Sequence, residues 1–291
     1  EYARAWWRTI VFVFKLKPKL VVGFGSYGSV PGVLSAVLMR IPILLHEQNA
    51  RAGRANLFLS RWADRIAVSF PETEGKLPNE RVFWSGFPLR SSFWEDRCGT
   101  QDAQGRVLPA CFTILVFGGS QGAKRLNRVF LEFLEALPVE ERVSFAVIHI
   151  VGNDELHGVR NTYDRLGVSS DVCHFSYRIL DSFKRADLVI ARAGAGTIFE
   201  LAAVGRAAIL VPYPHAHAHQ NVNAAYLARR RFARVIQDAE LSVETLERII
   251  FELRGDPSQR MELAENIRQL AKPDASRVLV ETGWKLTCDQ N

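Results

Sequence analysis

Residues 112–137 read FTILVFGGSQGAKRLNRVFLEFLEAL, and this stretch carries the clearest structural signal in the chain. Its apolar run Thr113–Phe117 has the length and composition of a buried strand. A glycine-rich turn follows at Gly118–Gly122, and an amphipathic helix is predicted from Arg125 to Leu137. A strand, a glycine turn and a helix in this order indicate a βα unit of a parallel sheet.

The same alternation of short β-branched runs and longer amphipathic stretches extends along nearly the whole chain, which predicts an α/β fold. The predicted strands are Leu20–Gly23, Ile43–His46, Arg65–Val68, Val82–Trp84, Thr113–Phe117, Ser144–Val151, Asp187–Ala191, Ala208–Val211 and Ala233–Ile236. Helices should fill most of the gaps. The polar residues 91–111 interrupt this rhythm and predict a linker between domains at 1–90 and 112–272, with residues 273–291 as a helix returning to the first domain.

The composition is that of an ordinary globular protein. The 291 residues include 48% hydrophobic and 23% charged residues, which excludes disordered, collagen-like and disulfide-scaffold proteins. No apolar run approaches the roughly 20 residues needed to span a bilayer. The 37 basic and 31 acidic residues leave a net charge of +6, too modest an excess to predict a nucleic-acid partner. The four cysteines have no paired spacing that would indicate a zinc or redox motif.

The first of three glycine turns that follow predicted strands is Gly23-Phe-Gly-Ser-Tyr-Gly28. Its spacing matches the dinucleotide-binding fingerprint, with Glu47 at the end of the next strand as a candidate ribose ligand. An NAD-dependent oxidoreductase is one hypothesis on this basis. A tight turn without a ligand explains the same spacing.

The second turn, Gly118–Gly122, precedes a helix whose first N–H groups and dipole favour a phosphate without a metal. The Ser120 hydroxyl would add a donor, and the absence of a Lys-Ser/Thr ending disfavours an ATPase. The third turn, Arg192–Thr197, has Glu200 one helical turn later, where a carboxylate can accept both hydroxyls of a ribose. Alternatively, Glu200 only stabilises the helix N-terminus. Together the two turns predict a nucleotide-binding C-terminal half, with the acceptor in the N-terminal half.

Five motifs in order resemble one family of enzymes. They are HEQN at 46–49, GFPLR at 86–90, GGSQGA at 118–123, RAGAGTxxE at 192–200 and HQxxNA at 219–224. From about Ala3 to Lys285 the chain is similar to the MurG family of bacterial peptidoglycan glycosyltransferases. The resemblance implies an inverting transfer of N-acetylglucosamine from UDP-N-acetylglucosamine to the lipid-linked acceptor lipid I, which forms lipid II.

The resemblance also implies the architecture and the roles of site residues. It implies two Rossmann-like domains facing across a cleft, the GT-B arrangement, with the donor mainly in the C-terminal domain. Ser120 would meet the diphosphate, Glu200 the ribose and Gln220 the sugar hydroxyls, while Arg90 would lie near the uridine or diphosphate and Asn49 would reach the sugar from the other domain. Main chain after a strand at Cys173–Phe175 would contact the uracil, with Ser176 where an aliphatic residue is usual. The full implied donor-binding set is Asn49, Arg90, Ser120, Gln121, Ser176, Ala195, Gly196, Thr197, Glu200 and Gln220.

The N-terminal part departs from the family pattern. Family members begin with a strand and a Gly-Gly-Thr-Gly-Gly-His turn whose histidine is a candidate general base, and this chain starts after it, so we expect an incomplete N-terminal domain. His46 and Glu47 are substitute candidates for a base, which contributes typically 10²–10⁴-fold. Both could instead form a hydrogen-bonded turn lining the cleft. An alternative function is therefore a donor-binding module that is inactive without a separate N-terminal partner.

Two further features bear on metals and partners. His215, His217 and His219 alternate, which is not a zinc-site spacing, so no metal or cofactor is expected. The segment Arg4–Lys19 is rich in aromatic and basic residues without an acid. It predicts docking to anionic lipids through Trp6, Trp7, Arg8 and Lys15. The family resemblance implies that this membrane is the inner membrane, contacted on its cytoplasmic face, and that other cell-wall synthesis proteins are further partners. A core helix leading into the first strand is the alternative.

Overall fold

A computed structural model describes residues 2–95, 111–118, 123–152, 155–214 and 219–288. The chain divides into two compact units. The N-terminal unit contains Glu1–Leu89 and Lys272–Asn291, and the C-terminal unit contains Arg90–Ala271.

The elements follow the α/β alternation along the chain. The strands are β1 (Val21–Gly23), β2 (Ile43–Glu47), β3 (Arg65–Val68), β4 (Val82–Trp84), β5 (Phe112–Phe117), β6 (Phe145–Ile150), β7 (Ser169–Cys173), β8 (Leu188–Ala191), β9 (Ala208–Leu210) and β10 (Arg234–Val235). The α-helices are α1 (Tyr2–Leu16), α2 (Val30–Met39), α3 (Arg54–Leu59), α4 (Ser92–Glu95), α5 (Lys124–Ala136), α6 (Val139–Arg142), α7 (Leu156–Leu166), α8 (Ile179–Arg185), α9 (Ala195–Val204), α10 (His219–Arg229), α11 (Val243–Gly255), α12 (Pro257–Arg268) and α13 (Ala275–Cys288). Single turns of 3₁₀-helix lie at Tyr27–Ser29, Ser60–Trp62, Asn79–Arg81 and Asp238–Glu240.

The sheet of the N-terminal unit is parallel, with the order β1-β2-β3-β4 among the described residues. Strand β2 is buried along its whole length, as expected for a central strand of a parallel sheet covered on both faces. Helix α2 packs Val33 and Ala36 into the core of this unit. Helix α13 approaches closely at Gly283, where an added Cβ would lie 2.7 Å from Leu20 Cδ2. Gly283 therefore permits this helix to pack on the residues that lead into β1.

The C-terminal unit contains a parallel sheet with the order β10-β9-β8-β5-β6-β7. This is the strand order of a doubly wound dinucleotide-type fold, in which the chain starts at the centre and moves first to one edge and then to the other. Every residue of β5, β8 and β9 is buried. Several helix ends carry identifiable signals. Ser242 and Asp256 cap the N-termini of α11 and α12, and Gly167, with a φ of 67°, terminates α7.

The structure extends the sequence prediction at one strand. Strand β7 is not among the nine predicted strands, because it is an edge strand of sequence SSDVC with three exposed residues and no apolar alternation. The strand expected at Cys173–Phe175 from the family resemblance ends at Cys173. The predicted linker is also partly structured. Its first residues form α4, which packs against α9 through the buried Phe93, and residues 96–110 lie outside the described residues.

Candidate functional site

The two C-terminal glycine turns begin at the same edge of the sheet. Strands β5 and β8 are neighbours, and Phe117 is in register with Ala191. The chain leaves β5 toward β6 on one side and leaves β8 toward β9 on the other, so this is the point where the strand order reverses. Open parallel sheets bind ligands in the crevice outside the carboxyl ends of strands at such a point.

The second glycine turn leads into α5. Gly118 follows β5, and Ala123 precedes the helix without a side-chain hydrogen bond to the first turn. Lys124 and Arg125 occupy the first turn, which contains no acid. These features leave the positive end of α5 available to an anion. Ser120 and Gln121 lie in residues 119–122, outside the described residues, so their donor-binding roles stay predictions.

The third glycine turn leads into α9, which begins at Ala195, within the predicted turn Arg192–Thr197. Gly194 precedes this helix in an extended conformation and provides no side-chain cap. Among the described residues, no atom lies within 4 Å of a Cβ added at Gly194 or Gly196. Packing against the described residues therefore requires neither glycine, and the space left beside the backbone can admit a ligand.

Glu200 lies on α9, two residues beyond its first turn, and is partly buried. Burial raises its pKa to about 7, and the nearby positive charge of Arg90 opposes this shift. A carboxylate with so raised a pKa is unusual at a structural position and is typical of a functional site. Arg90 belongs to the same unit as Glu200, so the structure brings together these two predicted donor ligands.

Helix α10 positions the predicted sugar ligand Gln220. Its side-chain Oε1 accepts a hydrogen bond of 2.9 Å from the backbone N–H of Tyr213, which fixes the amide at the end of the loop after β9. One turn later, the buried Asn223 donates from Nδ2 to the carbonyl oxygen of Ala193 at 3.2 Å. Asn223 thus holds the third glycine turn in place. The HQxxNA motif contains this residue, but its sequence gives no sign that the amide faces the backbone before α9.

Ser176, the predicted position for main-chain contact with uracil, lies in the loop after β7 and is half-buried. The rings of its neighbours Phe175 and Tyr177 pack edge to face with centroids 4.9 Å apart, and both are exposed. A role for Ser176 in base binding stays a prediction.

His46 is buried, and its ring nitrogens are engaged in hydrogen bonds. Gln48 Nε2 donates to Nδ1 at 3.1 Å, and Nε2 lies 3.3 Å from the carbonyl oxygen of Gly86 and 3.2 Å from Ser69 Oγ. Burial lowers the pKa of His46, against smaller opposing effects of Gly86 and Glu47. These contacts give His46 a neutral, structural environment, and its role as a base stays a prediction.

Glu47 is also buried, and both of its carboxylate oxygens accept hydrogen bonds from its own loop. Oε1 accepts from the backbone and side-chain amides of Asn49 at 3.0 and 3.2 Å. Oε2 accepts from the Gly53 N–H at 2.9 Å and from Asn56 Nδ2 at 2.8 Å. The carboxylate therefore orders the HEQN loop and orients Asn49. This geometry favours the hydrogen-bonded turn over a catalytic acid or base, and it leaves Glu47 ill placed to bind a dinucleotide ribose.

Packing and backbone conformation account for two glycines of the first turn, Gly23 and Gly25. A Cβ at Gly23 would lie 2.8 Å from Leu45 Cδ2, and Gly25 has a φ of 76°, in the region that favours glycine. The turn continues into a 3₁₀ segment and then into α2, with Pro31 in its first turn. Gly23 and Gly25 are thus needed for the turn itself, which favours the hypothesis of a tight turn without a ligand.

Two of the three alternating histidines that were considered as metal ligands lie outside the described residues. His215 and His217 lie in residues 215–218, which the structure does not describe. Among the residues that it does describe, no group of three or more histidine, cysteine or acidic side chains could hold a metal ion. The expectation of a metal-free site stays a prediction.

Comparison with known proteins identifies relatives of both units. Residues 113–279 match the glycosyltransferase family 28 C-terminal domain, and residues 2–68 match the family 28 N-terminal domain. A protein of Geobacter metallireducens named UDP-N-acetylglucosamine--N-acetylmuramyl-(pentapeptide) pyrophosphoryl-undecaprenol N-acetylglucosamine transferase is 40% identical over 269 residues, which cover 92% of this chain and 73% of the relative. A protein of the same name from Hahella chejuensis is 36% identical, with 97% of this chain and 77% of the relative covered.

A solved structure has the same fold. The crystal structure of Acinetobacter baumannii MurG superposes with a TM-score of 0.79 at 31% sequence identity, covering 96% of this chain and 78% of that one. The family match therefore extends to the three-dimensional structure.

Proposed function

The chain belongs to glycosyltransferase family 28 and, within it, to the MurG family of N-acetylglucosamine transferases, and from this premise we propose that its C-terminal unit binds UDP between its two glycine turns. The enzyme is a glycosyltransferase of peptidoglycan synthesis. It transfers N-acetylglucosamine from a UDP donor to the muramyl-pentapeptide of a lipid-linked acceptor. The family assignment leaves no support for the oxidoreductase hypothesis.

The donor site that we propose follows the strand-order reversal between β5 and β8. The diphosphate lies at the start of α5, where Ser120 and Gln121 contribute donors, and at the start of α9, where Ala195, Gly196 and Thr197 present backbone N–H groups. Glu200 accepts from the ribose hydroxyls, Ser176 lies beside the base, and Gln220 contacts the sugar. Two helix N-termini, each equivalent to about half a positive charge, take the place of a metal ion.

The chemistry needs charge stabilisation at the leaving group. As the acceptor hydroxyl attacks the anomeric carbon, the bond to the diphosphate breaks and negative charge grows on UDP. Backbone N–H groups already directed at that position stabilise the charge without reorganisation. Attack from the face opposite to the leaving group inverts the anomeric configuration.

The N-terminal unit takes the acceptor in our proposal. Glu47 holds the loop that presents Asn49, so the two residues act together in positioning rather than in proton transfer. We assign lipid I as the acceptor. Its lipid tail places the reaction at a bilayer surface, where α1 offers exposed aromatic and basic side chains. Among the described residues, no helix is long and apolar enough to cross that bilayer.

The observation that carries the proposal is the raised pKa of Glu200 on the helix that follows the third glycine turn, where β5 and β8 end at one edge of the sheet. The test measures UDP binding by calorimetry and UDP release with UDP-N-acetylglucosamine and a soluble lipid I analogue. The Glu200→Ala variant should bind UDP about tenfold or more weakly, because charged hydrogen bonds contribute about 1.5–3 kcal/mol. Glu262→Ala, which removes an exposed carboxylate of the same unit, is the matched control.

Two results would contradict the proposal in different ways. Unchanged UDP affinity in Glu200→Ala would mean that the ribose lies elsewhere. Normal UDP binding without any transfer to the acceptor would favour the alternative of a donor-binding module that needs a separate partner.

A further inference from the structure

Two arginines, one from each glycine turn of the C-terminal unit, meet at a single carboxylate. Arg192 is the first residue after β8, at the start of the third turn, and Arg125 is the second residue of α5, just after the second turn. Asp238 Oδ1 accepts from Arg192 Nη1 at 2.6 Å, and its Oδ2 lies 3.6 Å from Arg125 Nη1. Asp238 lies in the 3₁₀ turn after β10, outside all five motifs.

The ion pair between Arg192 and Asp238 is buried. Its side chain is 8% exposed and that of Asp238 is 12% exposed, so the pair is largely removed from solvent. Arg192 Nη1 also donates to the carbonyl oxygens of Val211 and Pro212 at 3.3 and 3.5 Å, beside the residue whose N–H binds Gln220. Arg192 thus connects the end of β8 to the loop after β9, and Asp238 supplies the opposing charge.

The contact between Arg125 and Asp238 is more exposed, and Arg125 also reaches Leu241. Its side chain is 42% exposed, and Nη2 donates to the carbonyl oxygen of Leu241 at 3.2 Å. A charged side chain in the first turn of α5 is therefore attached to residues 238–241 rather than free to move in solvent. This attachment fixes the helix start relative to the third turn.

We propose that Asp238 is a positioning residue that couples the start of α5, at the proposed diphosphate site, to the third glycine turn. This inference rests on the proposed donor site. In the proposed site the start of α5 meets only the diphosphate, whereas α9 also carries Glu200, which meets the ribose. An error in the spacing of the two helix starts therefore lowers affinity mainly for a ligand that contacts both. One carboxylate oxygen of Asp238 faces each arginine. A neutral side chain at this position therefore removes the charge that attracts both arginines.

The test compares UDP with uridine on the Asp238→Asn variant. The asparagine carbonyl still accepts from the buried Arg192, whereas its NH₂ group faces Arg125 and removes that ion pair, which leaves Arg125 held by its hydrogen bond to Leu241. UDP contacts both turns and uridine contacts only the third. We expect the Kd for UDP to rise about tenfold, the size of a coupling between neighbouring charged residues, and the Kd for uridine to change less than about twofold.

Two further variants separate coupling from a loss of fold. Asp171→Asn breaks the exposed Asp171–Arg185 pair in the same unit and should leave both Kd values unchanged. Arg125→Met leaves the buried Arg192–Asp238 pair intact, so it tests the proposal even if Asp238→Asn does not fold. It should also weaken UDP more than uridine. The double variant Arg125→Met/Asp238→Asn should bind UDP no more weakly than Asp238→Asn alone.

Several outcomes would overturn the inference while wild-type UDP binding stands. These are unchanged UDP affinity in Asp238→Asn, an equal loss for UDP and uridine, and additive effects in the double variant, which would mean that Arg125 acts independently of Asp238. Absence of UDP binding by the wild-type chain would instead overturn the proposed function, and the inference with it.

Discussion

Glu200 combines a raised pKa with a proposed ligand that requires its charged form. Burial stabilises the protonated carboxyl and raises its pKa to about 7, whereas ribose hydroxyls donate to the ionised carboxylate. UDP should therefore bind best above pH 7. Below that pH a proton must leave before the ribose is held, which costs up to about tenfold in affinity per pH unit.

The measurement is UDP affinity by calorimetry from pH 5.5 to 8.5 on the wild type and on Glu200→Gln. The difference between the two should narrow as the pH falls through 7, because the wild-type carboxyl becomes neutral like the amide. UDP itself titrates in this range, and the variant corrects for that. A constant difference across the series would mean that ionisation of Glu200 plays no part in binding.

Gly86 occupies a second position with a strict requirement, because only glycine fits there without strain. It has a φ of 78°, and a Cβ there would lie 2.6 Å from Lys272 Cβ, an atom next to the backbone that cannot easily move. Gly86→Ala should lower the free energy of unfolding by about 2 kcal/mol or more, the sum of backbone strain and overlap.

The matched control is Gly167→Ala, with a φ of 67° and nothing within 4 Å of the added Cβ. That substitution should cost only about 1 kcal/mol, from the backbone alone. Equal losses in the two variants, measured by urea denaturation, would show that the residues around Lys272 yield to the added methyl group.

The sequence alone offered candidate residues for this site, but it could not show which of their polar groups are already engaged in hydrogen bonds within the protein. The HEQN motif drew attention to Glu47, but the four hydrogen bonds that its carboxylate accepts from residues 49–56 depend on how the loop folds back. The same limit hid Asn223, whose partner lies 30 residues earlier in the chain. Side-chain pairing over such separations leaves no local pattern.

At the scale of elements, a buried polar network connects β6 with α5 and α7. His149 on β6 is fully buried, with Nε2 3.1 Å from Asn127 Oδ1 and Nδ1 2.8 Å from the Tyr163 hydroxyl. Asn127 in turn donates to Glu155 at 2.7 Å. Satisfied networks of this kind fix the relative position of packed elements, here including the helix that begins at the second glycine turn.

This network predicts a defined response to acid. Burial lowers the pKa of His149 to about 3, so the unfolded chain binds a proton below about pH 6.5 that the folded protein does not. The wild type should therefore lose about 1.4 kcal/mol of stability per pH unit, relative to His149→Gln, as the pH falls from about 6.5 toward 3. The contribution is fully present above pH 6.5.

Urea denaturation at pH 7.5, 6.0 and 5.0 measures this difference. Tyr163→Phe is the control, since it removes one hydrogen bond of the network but keeps the titrating imidazole. It should be less stable at every pH with an unchanged dependence on acid. A pH dependence that survives in His149→Gln would place the acid-sensitive group elsewhere.

Most elements could be predicted because burial leaves a pattern in the sequence. Strands β5 and β8 are covered on both faces and appear as continuous apolar runs, and α5 shows the amphipathic period. Strand β7 could not be found in this way, since a largely exposed edge strand needs few apolar residues, and only Val172 of its five residues is buried. The short helix α4 was missed inside the predicted linker because its packing on α9 comes from one buried aromatic residue, Phe93.

On the scale of the whole molecule, chain order and spatial order differ in an instructive way. The site that we propose uses the ends of β5 and β8, which are neighbours although about 70 residues separate them, as the register pair Phe117 and Ala191 shows. Sequence motifs located both turns, and the doubly wound strand order explains why two distant motifs serve one ligand. Asp238 lies in the turn after β10, the edge strand on the β8 side of this sheet. It belongs to no motif, because its proposed role depends on how β5 and β8 meet in space.

The last prediction concerns α1 and the membrane. Trp6 is 42% and Trp7 is 68% exposed, Phe12 and Phe14 are also exposed, and the helix contains no acid in its first turn. Val13 is buried, so α1 also has a packed face and is not wholly a surface element. Large exposed aromatic side chains are costly in water and favourable at the headgroup boundary, and each nearby basic residue adds about 1 kcal/mol at an anionic surface.

Replacement of both Trp6 and Trp7 by serine should release the protein from anionic vesicles in a sedimentation assay. Tyr177→Ser, which removes an aromatic ring that is 88% exposed in the C-terminal unit, should sediment like the wild type. Arg8 and Lys15 act through charge, so high salt should weaken wild-type binding without abolishing it, because the aromatic contribution is not screened. If the double tryptophan variant sediments undiminished, the exposed face of α1 does not contact lipid, and the acceptor must reach the enzyme through a different surface.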